Sequence, residues 1–143
     1  MQKLTFRLEQ AGKPKIKITS ASTAVSYLRE VWNADTLNYT ESFYAIFLTR
    51  ANHVIGYDVI SEGGTTATIA DGKVIFGKAL TCGACALIIA HNHPSETCRP
   101  SETDLSFTKK LVEFGRFIEL PILDHIILTE ENGFYSMADE GKI

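Results

Sequence analysis

Cysteine, proline and tryptophan are scarce in this chain of 143 residues, at three, four and one. So few cysteines, with no secretion signal expected, argue against a disulfide framework and leave thiols or metal ligands. No Pro/Ser-rich or low-complexity block reads as a linker, and no internal repeat suggests a solenoid. The longest wholly apolar run covers residues 84–90, far below the ~18 residues that suggest a membrane span. Residues 1–10 alternate polar and apolar without an apolar h-region, so the expectation is a cytoplasmic chain with no membrane partner. A basic excess is also missing. Lysine and arginine number 14 against 17 acidic residues, a net charge of −3, so charge does not support a nucleic-acid partner. Lys13, Lys15 and Lys17 form the only basic cluster, spaced by two as on one face of a strand, and read as a solvated face.

What is present is an ordinary globular composition, 45% apolar and 22% charged, and a length that suits one domain over residues 1–143. Residues 3–8 and 15–19 read as short strands of an N-terminal extension, joined by a turn at Gly12-Lys13-Pro14. Residues 20–32 read as a helix with Ala24, Leu28 and Val31 at core spacing and Ser20 or Ser22 as N-cap. Buried strands are expected over 42–48, 86–90 and 122–128 and a further strand over 54–61, with turns at 50–53, at Gly63-Gly64 and at 131–133 before a last strand through Met137. Helices are expected over 73–82, with Val74, Phe76, Ala79 and Leu80 inward, and over 101–119, with Leu105, Leu111, Val112, Phe114 and Ile118 inward. Strands and helices interleave, so the fold class is α/β, in a three-layer arrangement around one mixed sheet.

The informative segment runs from His91 to Asp104. Side chains alternate in an extended chain, so His91 and His93 point to the same side where a buried strand ends, and Pro94 forbids its continuation. Ser101 and Asp104 have the spacing of a capping box. The intervening loop is short enough to return that helix start to the strand end, where Asp104 can add an oxygen to a metal held by the two histidines. Two imidazole nitrogens and one carboxylate, with a fourth position open, form a catalytic zinc arrangement that makes hydroxide available near neutral pH. Five fixed residues at about 5% each make chance matches rare, on the order of 10⁻⁴ to 10⁻⁵ per chain.

A hydrolase of this kind needs an acid/base outside the ligand set. Glu41, opening a buried strand, is preferred over Glu62 at the far end of the next one. Ser101 has two readings, a helix cap and a donor to a tetrahedral oxyanion. Cys82 and Cys85 form a CxxC, but no His-x-Glu accompanies it and it closes a helix rather than opening one. Thiols packed near the sheet are therefore preferred, and Cys98 is expected to be exposed in the ligand loop. His125 reads as a core or supporting histidine rather than a ligand, and His53 as a turn residue.

The run from His91 to Asp104 resembles the metal motif of the JAMM (JAB/MPN-type) metalloproteases, in which His-x-His-Pro precedes a Ser and then an Asp three further on. Residues 86–95, Asp124-His125-Ile126-Ile127 and residues 135–141 make the chain similar to the RadC-type JAB domain within that superfamily, over residues 20–143. The resemblance implies a cytidine-deaminase-like α/β/α sandwich, zinc on His91, His93 and Asp104, Glu41 as acid/base and Ser101 as oxyanion helper. It implies hydrolysis of an amide or isopeptide bond in a peptide or isopeptide-linked protein. The sequence departs from the pattern at Glu96, where glycine is common, and no N-terminal helix-hairpin-helix region is expected in these residues. The alternative reading is a DNA-repair or mobile-element accessory protein that uses the JAB fold as a binding module. Nothing in the sequence specifies an oligomeric state.

Overall fold

The computed structural model describes residues 2–3, 5–9, 16–63, 70–131 and 133–143. Its elements are α1 (Ala21–Val31), a short 3-10 turn (Ala34–Thr36), β1 (Ser42–Leu48), β2 (Val54–Glu62), α2 (Gly72–Thr81), β3 (Ala86–Asn92), α3 (Glu102–Phe117), β4 (Ile122–Leu128) and β5 (Phe134–Ser136). The strands form one mixed sheet in the order β2-β1-β3-β4-β5, with β3 and β4 parallel and the other pairs antiparallel. The α/β class expected from the interleaved pattern is what forms.

Alternation along the central strands builds two cores, one on each face of the sheet. Tyr44, Ile46 and Leu48 of β1 and Ala86, Ile88 and Ala90 of β3 pack with Ala24, Val25 and Leu28 of α1. Phe43, Ala45 and Phe47, with Leu87 and Ile89, pack with α2 and α3 on the other face. Each large side chain buried this way contributes roughly 1.5–3 kcal/mol before conformational entropy is subtracted. Every residue of β1 and β3 is buried, as expected of strands covered by helices on both sides. By this parity His91 faces the α2/α3 layer and Asn92 faces α1.

Ser20, rather than Ser22, caps α1, through a capping box with Thr23. Trp32 ends that helix buried, its ring stacked 3.8 Å from Tyr44. The turn after β1 places Asn52 at φ 61°, and His53 bridges to Lys17. No helix among the described residues is long and apolar enough to cross a membrane.

Several expectations need correction. The described residues of 3–8 form no strand, and within 16–19 only Lys17 makes a bridge. The turn at Gly12-Lys13-Pro14, Lys13 and Lys15, Gly64 and Asn132 lie outside the described residues. Strand β3 runs on through His91 and Asn92, because β1 pairs with it as far as His91 and β4 as far as Asn92. The buried face of α2 is Ile75, Phe76 and Ala79, while Leu80 is 62% exposed and Val74 is also exposed. On α3 the buried positions are Thr108, Leu111, Val112 and Gly115, and Phe114 is 50% exposed with its ring against Phe76. A helix meets its neighbours along a narrow stripe, and Gly115 rather than a large residue occupies its centre here. Cys82, Cys85 and Cys98 are all free and partly buried; Cys82 packs against the core beside the sheet, while the exposure expected of Cys98 does not hold.

Gly115 is packed tightly against its neighbours. A Cβ built there would meet the backbone oxygen of Leu120 at 2.5 Å, where the chain turns back beneath α3. Gly115→Ala is therefore expected to destabilise the fold by ~1–3 kcal/mol despite its higher helix propensity. Thermal or urea denaturation of the two proteins measures this, and equal midpoints would show that the turn adjusts freely.

Candidate metal centre

The site is assembled from the end of β3, the loop after it and the first turn of α3. His91 is held on the sheet by β1 and β4, opposite Phe43 and Ile127 in the register. His93 lies just past the strand, but its backbone N–H still reaches the Leu128 carbonyl at 2.9 Å, which continues the parallel pairing and fixes its direction. Asp104 comes from α3 as part of a capping box. Its backbone N–H donates to Ser101 Oγ at 3.1 Å, and its Oδ2 accepts from the Ser101 backbone N–H at 2.8 Å.

These placements bring three side chains together. The Nε2 atoms of His91 and His93 are 2.8 Å apart. Asp104 Oδ1 lies 3.5 Å from His91 Nε2, and Asp104 Oδ2 lies 3.4 Å from His93 Nε2. The capping and clustering roles of Asp104 are thus compatible, since helix start and metal cluster use the same carboxylate. His91 is buried and the other two are partly so. Phe43 lies parallel to the His91 ring at a centroid distance of 6.0 Å.

His93 Nδ1 donates to the Thr97 carbonyl at 2.7 Å, which leaves a lone pair on its Nε2. That lone pair is aimed at the space where His91 Nε2 and the carboxylate converge. A nitrogen pair so close beside an anion is what a cation resolves, and two imidazoles with one oxygen are a donor set suited to zinc or a similar transition metal. The residues present therefore fit a metal ion, and His91, His93 and Asp104 are the group that can hold one.

The electrostatics favour positive charge at this point, carried by a proton or by a cation. Burial raises the cost of ionising Asp104, but hydrogen bonding to His91 and His93 outweighs it and holds the carboxyl well below its usual range. Burial works against charge on His93, yet Asp104, the Thr97 carbonyl and the nearby charge of Glu41 raise its pKa above the ordinary histidine value. Burial, with His91 beside it, pushes His125 well below that value. His125 is fully buried with Nε2 2.8 Å from His91 Nδ1, the supporting position expected of it.

A cavity of about 630 Å³ opens onto the cluster, lined by Glu41, Phe43, Ser101 and Phe107 among others. Glu41 precedes β1 and its carbonyl accepts from Gly63 N–H at 2.7 Å. Glu62, the other acid considered, is exposed at the end of β2 opposite Ser42.

Asn92 escaped the reading of the sequence. It is fully buried and points away from the histidines. Its Oδ1 accepts from the Ser42 backbone N–H at 2.7 Å, and its Nδ2 donates to the carbonyls of Leu37 and Thr40 at 2.6 and 2.9 Å. These bonds pin the segment that carries Glu41 to the strand that carries His91. The available signal was strand parity, which puts a polar residue between two histidines into the opposite core. Glu96, at the position where the resemblance favours glycine, adopts φ 62°, in the left-handed region glycine enters freely. Its carboxylate accepts from the backbone N–H groups of Glu130 and Glu131 at 3.0 and 3.1 Å, and so ties the ligand loop to the end of β4.

Fold and cluster together define a three-layer α/β domain with a His–His–carboxylate centre at one strand end. Residues 18–142 match the family described as RadC-like JAB domain. The chain is 39% identical over 125 residues to a UPF0758 protein of Flavobacterium johnsoniae, covering 87% of this chain and 53% of that protein. It is 36% identical over 138 residues to a UPF0758 protein of Thermosynechococcus vestitus, covering 96% and 52%. With a UPF0758 protein of Methanococcoides burtonii the identity is 35% over 134 residues, covering 91% and 55%. This chain belongs to the RadC-like JAB domain family. It spans about half the length of these relatives.

Asn92→Ala would leave one N–H and two carbonyls without their present partner. The expected cost is at least ~2 kcal/mol, since each unsatisfied buried group costs about 1–3 kcal/mol. Denaturant unfolding of the metal-free protein measures it, and an unchanged midpoint would mean that water replaces all of these bonds.

Proposed function

We propose that this protein is a zinc-dependent hydrolase of amide or isopeptide bonds, acting on a peptide or an isopeptide-linked protein. The observation that carries the reading is the convergence of His91 Nε2, His93 Nε2 and the Asp104 carboxylate beside an open cavity. In this reading His91, His93 and Asp104 are the metal's only protein ligands, which is the pattern of catalytic rather than structural zinc sites. A zinc ion bound there would supply Lewis acidity, lowering the pKa of water toward ~7 and polarising a carbonyl.

The chain's own residues do the rest. Glu41 lines the cavity outside the ligand set and acts as general base toward the attacking water, then returns the proton to the leaving amine. Ser101 Oγ accepts from Asp104 N–H, so its own hydrogen remains to be donated to the developing oxyanion. Phe43 and Phe107 form an apolar wall, their rings edge to face at 5.9 Å, which restricts water around the reacting groups.

Metal content per chain, by plasma mass spectrometry on protein purified without a metal-affinity tag, comes first. Near-stoichiometric zinc is expected in the wild type and is expected to vanish in His93→Ala and Asp104→Ala. The second of these also loosens the start of α3 by ~1 kcal/mol. Zinc absent even after addition would overturn the ligand set. Glu41→Gln is expected to keep zinc and lose hydrolysis of a peptide and isopeptide library by ~10²- to 10⁴-fold. Full activity in that variant would remove Glu41 from its role. Salt-dependent binding of duplex DNA without any hydrolysis would replace this reading by the accessory-protein one.

A further inference from the structure

Behind the cluster, two polar side chains that the proposed reaction does not use, His125 and Thr108, extend a hydrogen-bonded chain from His91. His91 Nδ1 is 2.8 Å from His125 Nε2, and His125 Nδ1 is 2.5 Å from Thr108 Oγ1. Thr108 Oγ1 in turn donates to the backbone carbonyl of Asp104 at 2.7 Å. All three side chains are buried, at 2% exposure for His91 and Thr108 and 0% for His125. The chain crosses three elements, β3, β4 and α3, and begins and ends on residues of the metal cluster.

A hydroxyl has one hydrogen. Because that of Thr108 goes to the Asp104 carbonyl, its oxygen is left to accept, and His125 Nδ1 must carry the N–H. A neutral imidazole protonated at Nδ1 has a lone pair at Nε2, so the next bond is donated by His91 Nδ1. His91 Nε2 is then unprotonated and faces His93 Nε2 and Asp104. Rotating the single Thr108 hydrogen toward His125 reverses every bond in turn. It would place an N–H on His91 Nε2, pointing into the space a cation would occupy. Each imidazole keeps one hydrogen in either arrangement, so the choice between them takes up or releases no proton.

We infer that Thr108 and His125 are positioning residues: their hydrogen-bond relay, anchored on the Asp104 carbonyl, sets the tautomer in which His91 can accept a metal ion. The inference rests on the ligand set proposed above, and it concerns metal capture rather than hydrolysis. It also accounts for a fully buried histidine that is not itself part of the cluster. Histidine ligands are commonly oriented by such a hydrogen bond on their other nitrogen. Here the orienting group is a second imidazole, whose own tautomer is dictated by a threonine on the helix that carries Asp104.

The test uses zinc alone as probe. Zinc affinity of the wild type, Thr108→Val and Thr108→Ser is measured by competition with a chromogenic chelator. Histidine tautomers are read from long-range 1H–15N spectra of the zinc-loaded proteins. Thr108→Val preserves the shape of the side chain without its hydroxyl, and is expected to weaken zinc binding by ~10- to 100-fold. Thr108→Ser keeps the hydroxyl and is expected to rescue most of that loss. Wild-type spectra are expected to show His125 and His91 both protonated at Nδ1. A folded Thr108→Val protein that binds zinc as tightly as the wild type overturns the relay, as does a wild-type His125 protonated at Nε2. If Thr108→Val does not fold, the wild-type tautomers and the Thr108→Ser affinity decide. Zinc uptake and tautomers as expected without hydrolysis of any substrate would sink the proposed reaction and leave the relay standing. Failure of the wild type to take up zinc would remove the ligand set and the relay together.

Discussion

Two imidazole nitrogens 2.8 Å apart beside a carboxylate are an arrangement that a chain does not adopt without a rigid frame. Imidazole lone pairs repel when neither carries a proton, and partial burial of the carboxylate adds to the cost. Much of the fold can be understood as what holds these groups in place. His91 sits on a central strand with neighbours on both sides, inside a sheet covered on both faces. His93 is held by a backbone bond to β4 and a ring bond to Thr97. Asp104 is held twice by the cap that starts α3.

The frame is economical because single residues serve two elements. Ser101 and Asp104 stop the helix from fraying and orient the carboxylate in one set of bonds. Asn92 satisfies three backbone groups and so locks the approach to β1 against the end of β3. Glu96 occupies a backbone conformation that a side chain ordinarily resists and secures the ligand loop through two backbone N–H groups. In each case a polar side chain is ordered by the same contact that orders the site. This makes local stability and site geometry hard to separate by substitution.

Element positions were largely legible because the periodicities are strong. Strand β1 and strand β4 coincide with the runs of apolar residues that announced them. Helix faces were less so. Val74, Leu80 and Phe114 look like core residues by type, but which apolar residues on a helix turn inward depends on its rotation against the sheet. Here that rotation places the side-chain-free surface of Gly115 against the turn at Leu120. The described residues of the expected N-terminal strands form none for a related reason. A strand needs a partner edge, and alternation alone does not say whether one is offered.

The sequence by itself determined which groups can meet a metal ion, since alternation in an extended strand sends His91 and His93 one way and a capping box places Asp104 at a helix start. It determined the α/β class through the interleaving of its periods. Only the tertiary structure decided that Asn92, Glu96 and Thr108 belong to the same arrangement, and that the histidine supporting His91 is held by Thr108. Their contacts with distant elements span 17 to 55 positions of sequence, and each depends on how strands, helices and loops pack together. Local pattern governs direction from a residue's own backbone. Which partner stands in that direction is settled by packing.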